Sequence, residues 1–397
     1  MLRTTAFHPR TSALCEGQNW RRWAGYLAAS SYDLTHDREY WAIRNSAALI
    51  DVSPLFKYHV NGPDAARLLD RVMTRDVENS KVGQVLYTTW CDGDGKVLDD
   101  GTVSRLDEDL FRVTAADPNY RWLGDNARGL TVDIEDVSDR IAALALQGPN
   151  ARVILEQASQ QSLATLKFFR LTTATIRGVP VTITRTGYTG DLGYEVWMAW
   201  SDALAVWDAL VAEGGPYGIA PAGMLALDIA RIEAGLLLLD VDYTSARRAM
   251  IEGQKSTPHE LSLEWSLSLG KEYFNGHRAI RAEAARGPEW KFVGLEVDWP
   301  SLEGTFAAHG LAPRLPTQAV RASLPIYDAN SGKQAGYASS SCWSPLLKRY
   351  IALAHLETRF ATPNASLQME VTVEHQRKKV QAHVRPLPFF NPERKRA

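Results

Sequence analysis

The chain has few cysteines, no long apolar run and almost no excess of charge. Its three cysteines, Cys15, Cys91 and Cys342, are far apart and form no C-x-x-C pair. This spacing argues against a disulfide scaffold or a structural zinc site and fits a reducing compartment. The longest aliphatic runs, 141–146 and 236–239, are far too short to span a bilayer. The cysteine spacing and the short aliphatic runs lead us to expect a cytoplasmic protein. A formal net charge of −2 gives no field that would attract nucleic acid or anionic lipid, so we expect no nucleic-acid and no membrane partner.

Several common catalytic motifs are also missing from the sequence. It contains no G-x-x-x-x-G-K-[ST] phosphate loop, no G-x-S-x-G nucleophile elbow and no H-E-x-x-H zinc motif. No G-x-G-x-x-G follows an early strand, which argues against an embedded NAD or FAD domain. The nine histidines are scattered, so we expect no metal site.

What the chain does have is the composition and length of a multidomain globular protein. Its 397 residues are 45% hydrophobic and 23% charged, which predicts two or three domains. Beyond about residue 285, strand-like segments with period-two alternation are punctuated by Gly and Pro. These segments are 292–297, 320–327, 351–356 and 367–373. We therefore divide the chain into a mixed helix-and-strand region, 1–280, and an all-β unit, 281–397.

Four stretches in the first region have the apolar spacing of helices: 36–50, 65–73, 201–212 and 221–233. Asp64 and Ser201 stand where N-cap residues are favoured, so we predict that they cap the second and third helices. In the fourth helix, Asp228 and Arg231 are three residues apart and share one face. Arg231 can therefore form an ion pair with Asp228 or contact a ligand.

A glycine-rich stretch, Arg185 to Glu195, joins two strand-like segments. Its glycines predict a tight connection at which backbone can approach a ligand closely. Glu195 offers a two-oxygen acceptor that can pair with adjacent N–H groups of a flat heterocycle. A plain hairpin with a solvated glutamate is the alternative. The remaining residues of interest in this stretch are Gly187, Tyr188, Gly190, Gly193 and Tyr194.

A pair of neighbouring carboxylates, Asp99 and Asp100, lies on a strand just after a glycine hairpin. Such a position can present a catalytic carboxylate, although paired aspartates near turns are mostly solvated. The residues alone leave both readings open.

Taken in order, these blocks resemble the folate-binding aminomethyltransferase family, which includes the T-protein of the glycine cleavage system. The resemblance covers nearly the whole chain. It is carried by Asp51-Val-Ser53, Val97-Leu-Asp-Asp100, Gln147-Gly-Pro149, Arg185 to Glu195, the 226–235 block, the 269–276 block, the 341–348 block and Pro388-Phe-Phe390.

The resemblance implies a three-domain, cloverleaf-like α+β fold around a folate channel, with a C-terminal β-barrel-like domain. Residues 1–280 would form two interleaved α+β subdomains that bind tetrahydrofolate. Asp100 matches the family's catalytic carboxylate near N5 and N10 of the folate, and Glu195 matches the acid that binds the pterin amino and ring N–H groups. Tyr87, Tyr188 and Arg231 match residues that line the same cofactor site.

Some positions depart from the T-protein pattern. Pro54-Leu55 replaces a His-Met pair, Asp191-Leu192 replaces Glu-Asp, and Leu227 replaces an arginine. These changes resemble relatives that demethylate small O-, N- or S-methyl compounds. We therefore expect a tetrahydrofolate-dependent methyltransferase or demethylase with a small methylated substrate.

Two other functions stay open. One is the glycine cleavage aminomethyltransferase itself, acting with a lipoyl carrier protein. The other is a non-enzymatic folate-binding accessory protein; that group carries a K-G-C-Y-x-G-Q motif, which this sequence lacks.

Overall fold

The computed structural model describes residues 2–396, which form both helices and strands. The helices are α1 (His8–Leu14), α2 (Asp37–Asn45), α3 (Ala65–Val72), α4 (Tyr120–Asn126), α5 (Ala151–Ser159), α6 (Ala203–Gly214), α7 (Met224–Glu233), α8 (His277–Arg286) and α9 (Trp299–Ala307). The strands are β1 (Arg3–Thr4), β2 (Asn19–Trp23), β3 (Tyr26–Ser31), β4 (Ala47–Asp51), β5 (Phe56–Asn61), β6 (Val85–Cys91), β7 (Val97–Arg105), β8 (Leu110–Ala115), β9 (Asp133–Asp136), β10 (Ile141–Gln147), β11 (Leu171–Ile176), β12 (Val179–Thr184), β13 (Gly193–Ala199), β14 (Ile219–Pro221), β15 (Trp290–Val297), β16 (Leu324–Asp328), β17 (Gln334–Ser344), β18 (Arg349–Glu357), β19 (Leu367–Val373) and β20 (Gln376–Arg385). No helix in this part of the chain is long and apolar enough to cross a membrane.

A five-stranded sheet has the order β6-β7-β8-β5-β9, and its two faces differ sharply. Side chains alternate across a strand, so residues in register share a face. Leu86, Val103, Val113 and Tyr58 are in register across four strands, are buried, and pack against α3 and α4. The opposite face is lined by polar side chains, so this sheet has one apolar face in the core and one polar face.

A six-stranded sheet has the order β11-β12-β13-β10-β4-β14. One face carries Leu144, Leu146 and Val196 and packs against α5 and α6. The other face carries Ala143, Ala145 and Trp197, which join the central core of the molecule. Thr184 and Glu195 are in register on this inward face.

The C-terminal strands close into a barrel in the order β15-β18-β17-β16-β19-β20, which confirms the predicted barrel-like unit. The strand predicted over 320–327 begins only at Leu324, and Val320 makes an isolated bridge to Ser341. A helix, α9, also lies between the first two barrel strands in the chain. The Asp298 side chain caps it by accepting a hydrogen bond from the Ser301 backbone N–H at 2.8 Å.

Helix α7 lies among these units and is buried from Leu225 to Glu233. The core around it gathers residues from the inward face of the six-stranded sheet, from α2 and α8, and from the barrel, among them Phe292 and Leu353. A fourth, small sheet has the order β1-β3-β2. The α+β arrangement of the three larger sheet units around a shared centre matches the predicted cloverleaf-like fold. The predicted division at residue 280 falls inside α8 and stays a prediction.

The structure corrects three local predictions. The helix predicted over 36–50 ends at Asn45, and 47–51 is β4, which is almost wholly buried. A short apolar run has the same composition in a buried strand as in a helix, so spacing alone did not separate them. Helix α6 begins at Ala203 after a 3₁₀ turn, so Ser201 is not its cap. Asp64 is at the N-cap position of α3, but its carboxylate accepts the Thr131 backbone N–H instead, at 2.7 Å.

The fourth predicted helix also begins later than expected. The pattern predicted a start at Pro221, whereas α7 begins at Met224 because residues 219–221 pair with β4 as strand β14. Of the two roles left open for Arg231, the ion pair with Asp228 is present.

Candidate active site

The site is built from the polar face of the five-stranded sheet and the inward face of the six-stranded sheet. On the first, Tyr87 is in register with Thr102, Thr102 with Thr114, and Thr114 with Lys57, so these side chains form one continuous row. Asp100 and Arg112 share that face because each lies two residues from a member of the row. Glu195 and Trp197 stand on the second sheet.

The two neighbouring aspartates have different roles because they point to opposite faces of β7. Asp99 is on the apolar face, is 0% exposed, and accepts hydrogen bonds from the Asp117 backbone N–H at 3.0 Å and the Asn119 amide at 2.8 Å. It also accepts the Asp100 N–H at 2.8 Å. Asp99 therefore fixes the loop at 117–119, and Asp100 is the aspartate that faces the site.

The Asp100 carboxylate is held by two tyrosine hydroxyls. Tyr87 donates to Oδ2 at 3.0 Å, and Tyr243 donates to Oδ1. Burial raises the pKa of Asp100, although both hydroxyl donors favour the ionised form and oppose that rise. Burial and the charge of Asp100 raise the pKa of each tyrosine well above its usual value, so both stay protonated and donate. The result is an oriented, poorly hydrated carboxylate.

The Glu195 carboxylate is held on one side only. Its Oε2 accepts hydrogen bonds from Thr186 at 2.7 Å and from Thr184 at 3.3 Å. Its Oε1 accepts no hydrogen bond from any residue in 2–396. Burial raises the pKa of Glu195, while the threonine hydroxyls and the charge of Arg112 lower it. The Oε1 atom of Glu195 is thus available to accept a hydrogen bond from a ligand with N–H groups.

The glycines of the 185–195 stretch serve the protein rather than a ligand. A Cβ at Gly187 would lie 2.1 Å from the Gln147 side chain, and one at Gly193 would lie 2.2 Å from it. The Gln147 amide runs between them and accepts a hydrogen bond from Thr189 at 2.9 Å. Gly190 has a φ of +74°, and a Cβ there would meet Ala234. The expected close approach of backbone to a ligand is therefore a close approach to the protein's own side chains.

The other predicted cofactor residues lie beside this site with their polar groups already engaged. The Tyr188 hydroxyl donates to the Leu237 carbonyl, and its partly exposed ring is left as a contact surface. Arg231 is 1% exposed. Its guanidinium donates to Asp228 at 2.9 Å, to Ser340 at 2.7 Å, to the Leu236 carbonyl at 3.3 Å and to Asp242. Since a guanidinium has about five N–H donors, at most one remains for a ligand, and a cofactor contact by Arg231 stays a prediction.

Three residues at the site were not singled out from the sequence. Tyr243 lies in an irregular segment whose pattern gave no signal. Trp265, which is 61% exposed, stacks on Tyr87 with ring centroids 5.4 Å apart and leaves its outer face open at the rim. Arg112 is 2% exposed and stacks on the Trp197 ring at 4.0 Å. It lies on the polar face of β8, and polar sheet faces usually meet solvent, so its sequence context gives no sign of a buried cation.

The arrangement suits recognition of a flat heterocycle next to a charged reacting centre. Glu195 and Arg112 offer an acceptor and donors on one side, while the ring faces of Tyr87 and Tyr188 flank Asp100. No group of three His, Cys, Asp or Glu residues in the described chain could hold a metal ion.

Comparison with known proteins adds independent information. Residues 7–271 match the GCVT N-terminal domain, and residues 309–391 match the glycine cleavage T-protein C-terminal barrel domain. The aminomethyltransferase of Halothermothrix orenii is 34% identical over 356 residues, covering 89% of this chain and 90% of that protein. The trimethylamine-oxide aldolase of Ruegeria pomeroyi is 30% identical over 410 residues, covering 100% of this chain and 48% of that protein.

A solved structure agrees with these matches. The glycine cleavage system aminomethyltransferase T of Bartonella henselae superposes with a TM-score of 0.82 at 25% identity, covering 98% of this chain and 99% of that chain. The chain therefore belongs to the glycine cleavage T-protein (GCVT) family of transferases.

Proposed function

We propose that this protein transfers a methyl group from a small O-, N- or S-methylated donor to N5 of tetrahydrofolate. The observation that carries the proposal is the presence of two carboxylates with different environments. Asp100 is oriented by two tyrosines, and Glu195 has an Oε1 atom with no protein donor in the described chain. One carboxylate serves the reacting atoms and the other serves the cofactor ring.

The cofactor end fits the hydrogen-bonding edge of a pterin. The ring's 2-amino group and neighbouring N–H are adjacent donors, and a carboxylate accepts from such a pair. Glu195 is preoriented by Thr184 and Thr186, so it loses little freedom on binding. Tyr87, Tyr188 and the outer face of Trp265 supply flat surfaces for the cofactor rings.

At the reacting end, the N5–carbon bond forms while the bond between the methyl carbon and the donor's O, N or S atom breaks. The proton lost from N5 ends on the released donor. Positive charge builds on N5 during transfer, and an ionised Asp100 in a poorly hydrated site stabilises that charge. The same carboxylate can accept the N5 proton and pass it on. Holding donor and cofactor in line removes much of the entropic barrier.

The choice of a methylated donor is supported by the match to the trimethylamine-oxide aldolase, whose name specifies a methylated nitrogen compound and which aligns with all of this chain. The departures from the T-protein pattern contribute less. The Asp191 carboxylate is buried in ion pairs with Arg44 and Arg394, and Leu227 packs in the core. Since Asp191 is held in ion pairs and Leu227 in the core, these two replacements give no support to a changed donor pocket.

A second candidate is the glycine cleavage aminomethyltransferase with a lipoyl carrier protein. It is favoured by the relatives of similar length, such as that of Halothermothrix orenii. Here an aminomethyl group on the carrier's sulfur would be taken up by tetrahydrofolate, giving 5,10-methylene-tetrahydrofolate, ammonia and the free carrier thiol.

One assay separates these reactions. Purified protein is incubated with tetrahydrofolate and either a panel of O-, N- and S-methylated compounds or an aminomethyl-lipoyl carrier, and the folate products are separated by chromatography. Formation of 5-methyl-tetrahydrofolate with a methylated donor supports the proposal. Formation of 5,10-methylene-tetrahydrofolate only with the carrier refutes it in favour of the second candidate.

Asp100→Asn is the control for the assignment of roles. It should slow product formation strongly with either donor class while the protein still binds tetrahydrofolate, because the Tyr87 and Tyr243 contacts accommodate an amide of the same shape. Folate binding with no turnover of any donor by the unsubstituted protein would instead indicate the accessory function.

A further inference from the structure

Arg112 is a buried cation that the described chain leaves without a hydrogen-bond acceptor. It is 2% exposed, and neither its Nε nor its Nη2 has a partner. Buried charged groups are normally paired, because an unpaired charge away from water has lost its hydration with nothing to replace it. An unpaired buried guanidinium of this kind indicates a position at which a ligand can supply the acceptor.

Lys57, in the neighbouring strand, is a second buried cation, and its hydrogen bonding differs from that of Arg112. The Lys57 ammonium is also buried, but it donates to the backbone carbonyls of Ser53 and Leu55, each at 2.7 Å, and of Ser138 at 3.3 Å. The fold thus supplies acceptors for the Lys57 ammonium and none for Nε and Nη2 of Arg112.

The surroundings of Arg112 fix its orientation without using its N–H groups. The guanidinium lies over the Trp197 ring, 4.0 Å from the centroid, and stacking of this kind engages the flat face of the guanidinium. Two of its three nitrogens, Nε and Nη2, are buried without a hydrogen-bond partner among the described residues. Burial lowers the pKa of Arg112 to about 10, and the charge of nearby Glu195 opposes this lowering. The two groups nevertheless form no ion pair among the residues described.

We propose that Arg112 donates a hydrogen bond to the 4-oxo oxygen of the pterin, next to the 2-amino and N3–H groups that Glu195 accepts. This inference rests on the proposed function. The three ring groups follow one another along a single edge as donor, donor and acceptor. An acceptor carboxylate beside a donor guanidinium, with a gap between them, is the matching pattern.

The proposal predicts selectivity as well as affinity. In a 4-amino pterin the 4-position carries a donor, which would face the donor N–H groups of Arg112. Removing Arg112 should therefore weaken binding of tetrahydrofolate more than binding of its 4-amino analogue.

The test uses the full-length protein and Arg112→Met, an unbranched apolar replacement. Dissociation constants for tetrahydrofolate and for its 4-amino analogue are measured by isothermal titration calorimetry under anaerobic conditions. We expect Arg112→Met to raise the dissociation constant of tetrahydrofolate about 10- to 100-fold. The dissociation constant of the 4-amino analogue should rise at least about tenfold less. Arg377→Met, on the exposed surface of the barrel, is the matched control and should change neither constant.

A second measurement separates ligand binding from a structural role. Because Arg112 makes no protein hydrogen bond, Arg112→Met loses only the contact with Trp197 and the charge beside Glu195, so its urea midpoint without ligand should stay well above that of Arg231→Met, which breaks a buried ion pair. A midpoint as low as that of Arg231→Met, or an unchanged ratio of dissociation constants in a variant that still binds tetrahydrofolate, would overturn the assignment to Arg112 and leave the proposed function standing. Failure of the unsubstituted protein to bind tetrahydrofolate would overturn both.

Discussion

Arg231 provides the most direct test of whether a predicted cofactor residue is mainly structural. Its guanidinium lies between Asp228 and Asp242, and Arg321 donates to the second oxygen of Asp228 at 2.7 Å. The cluster thus contains two cations and two anions and is neutral. Arg231→Met leaves two carboxylates with one cation, in a place where three of the four groups are almost fully buried.

The expected loss of stability is large for that reason. Removing one partner of a buried ion pair costs about 3–5 kcal/mol, because the charge left behind is neither hydrated nor neutralised. Asp242 keeps three donors, Leu238 N–H at 2.9 Å, Ser339 at 2.6 Å and Ser340 at 2.7 Å, so we expect the lower half of that range. Arg231→Met with Asp242→Asn should recover part of the loss, with a coupling energy of about 0.5–3 kcal/mol.

The measurement is the free energy of unfolding in urea for the unsubstituted protein, the two single variants and the double variant. Arg349→Met is the matched control: its ion pair with Glu296 is half-exposed, so its removal should cost less than about 1 kcal/mol. The reasoning is refuted if Arg231→Met unfolds like the control while losing affinity for tetrahydrofolate, since Arg231 would then act chiefly on the ligand.

Four further outcomes follow from the site. Asp100→Asn should lower kcat about 10²–10⁴-fold with little change in the Kd of tetrahydrofolate. In the unsubstituted protein kcat should fall as pH drops through the raised pKa of Asp100, because only the ionised form is active, and Asp100→Asn should lack that limb. Glu195→Gln should weaken tetrahydrofolate binding by about 1.5–3 kcal/mol in a titration, and an unchanged Kd would remove Glu195 from the cofactor site. Tyr243→Phe deletes a donor that lowers the pKa of Asp100, so the acid limb of the kcat profile should move to higher pH; an unmoved limb would contradict that role. Gly193→Ala should cost about 1–3 kcal/mol in urea unfolding, because its methyl group meets Gln147 at 2.2 Å, and it should cost less in a Gln147→Ala background if that clash is the cause.

The sequence predicted the sheets well where a strand has one apolar and one polar face. The barrel strands β15, β18 and β19 were located to within about two residues at each end because their alternation is a period-two signal. It failed at residues 47–51, which are buried on both faces of a strand and have no alternation to read. Helix starts were the other weak point, since Pro221 belongs to a strand that pairs in parallel with β4, a partner distant in sequence.

The site was only partly predictable. Local pattern identified the Asp99–Asp100 pair but could not tell which residue faces the site, since that depends on which face of β7 is covered by α3 and α4. Arg112 lies on the polar face of β8, and such faces usually meet solvent. It is a buried, unpaired cation only because a second sheet packs against that face. Tyr243 reaches Asp100 from a segment with no periodicity, so no local rule could have found it.

The opposite orientation of Asp99 and Asp100 has a consequence for how substitutions at the two positions would appear in a cell. Loss of Asp99 frees the loop at 117–119 and leaves buried donors without an acceptor, so less folded protein should accumulate and the remainder should turn over nearly normally. Loss of Asp100 should leave the protein abundant and inactive. A mutational scan scored only by growth would report both positions as equally intolerant, and only separate measurement of abundance and specific activity would show that one is required for folding and the other for the reaction.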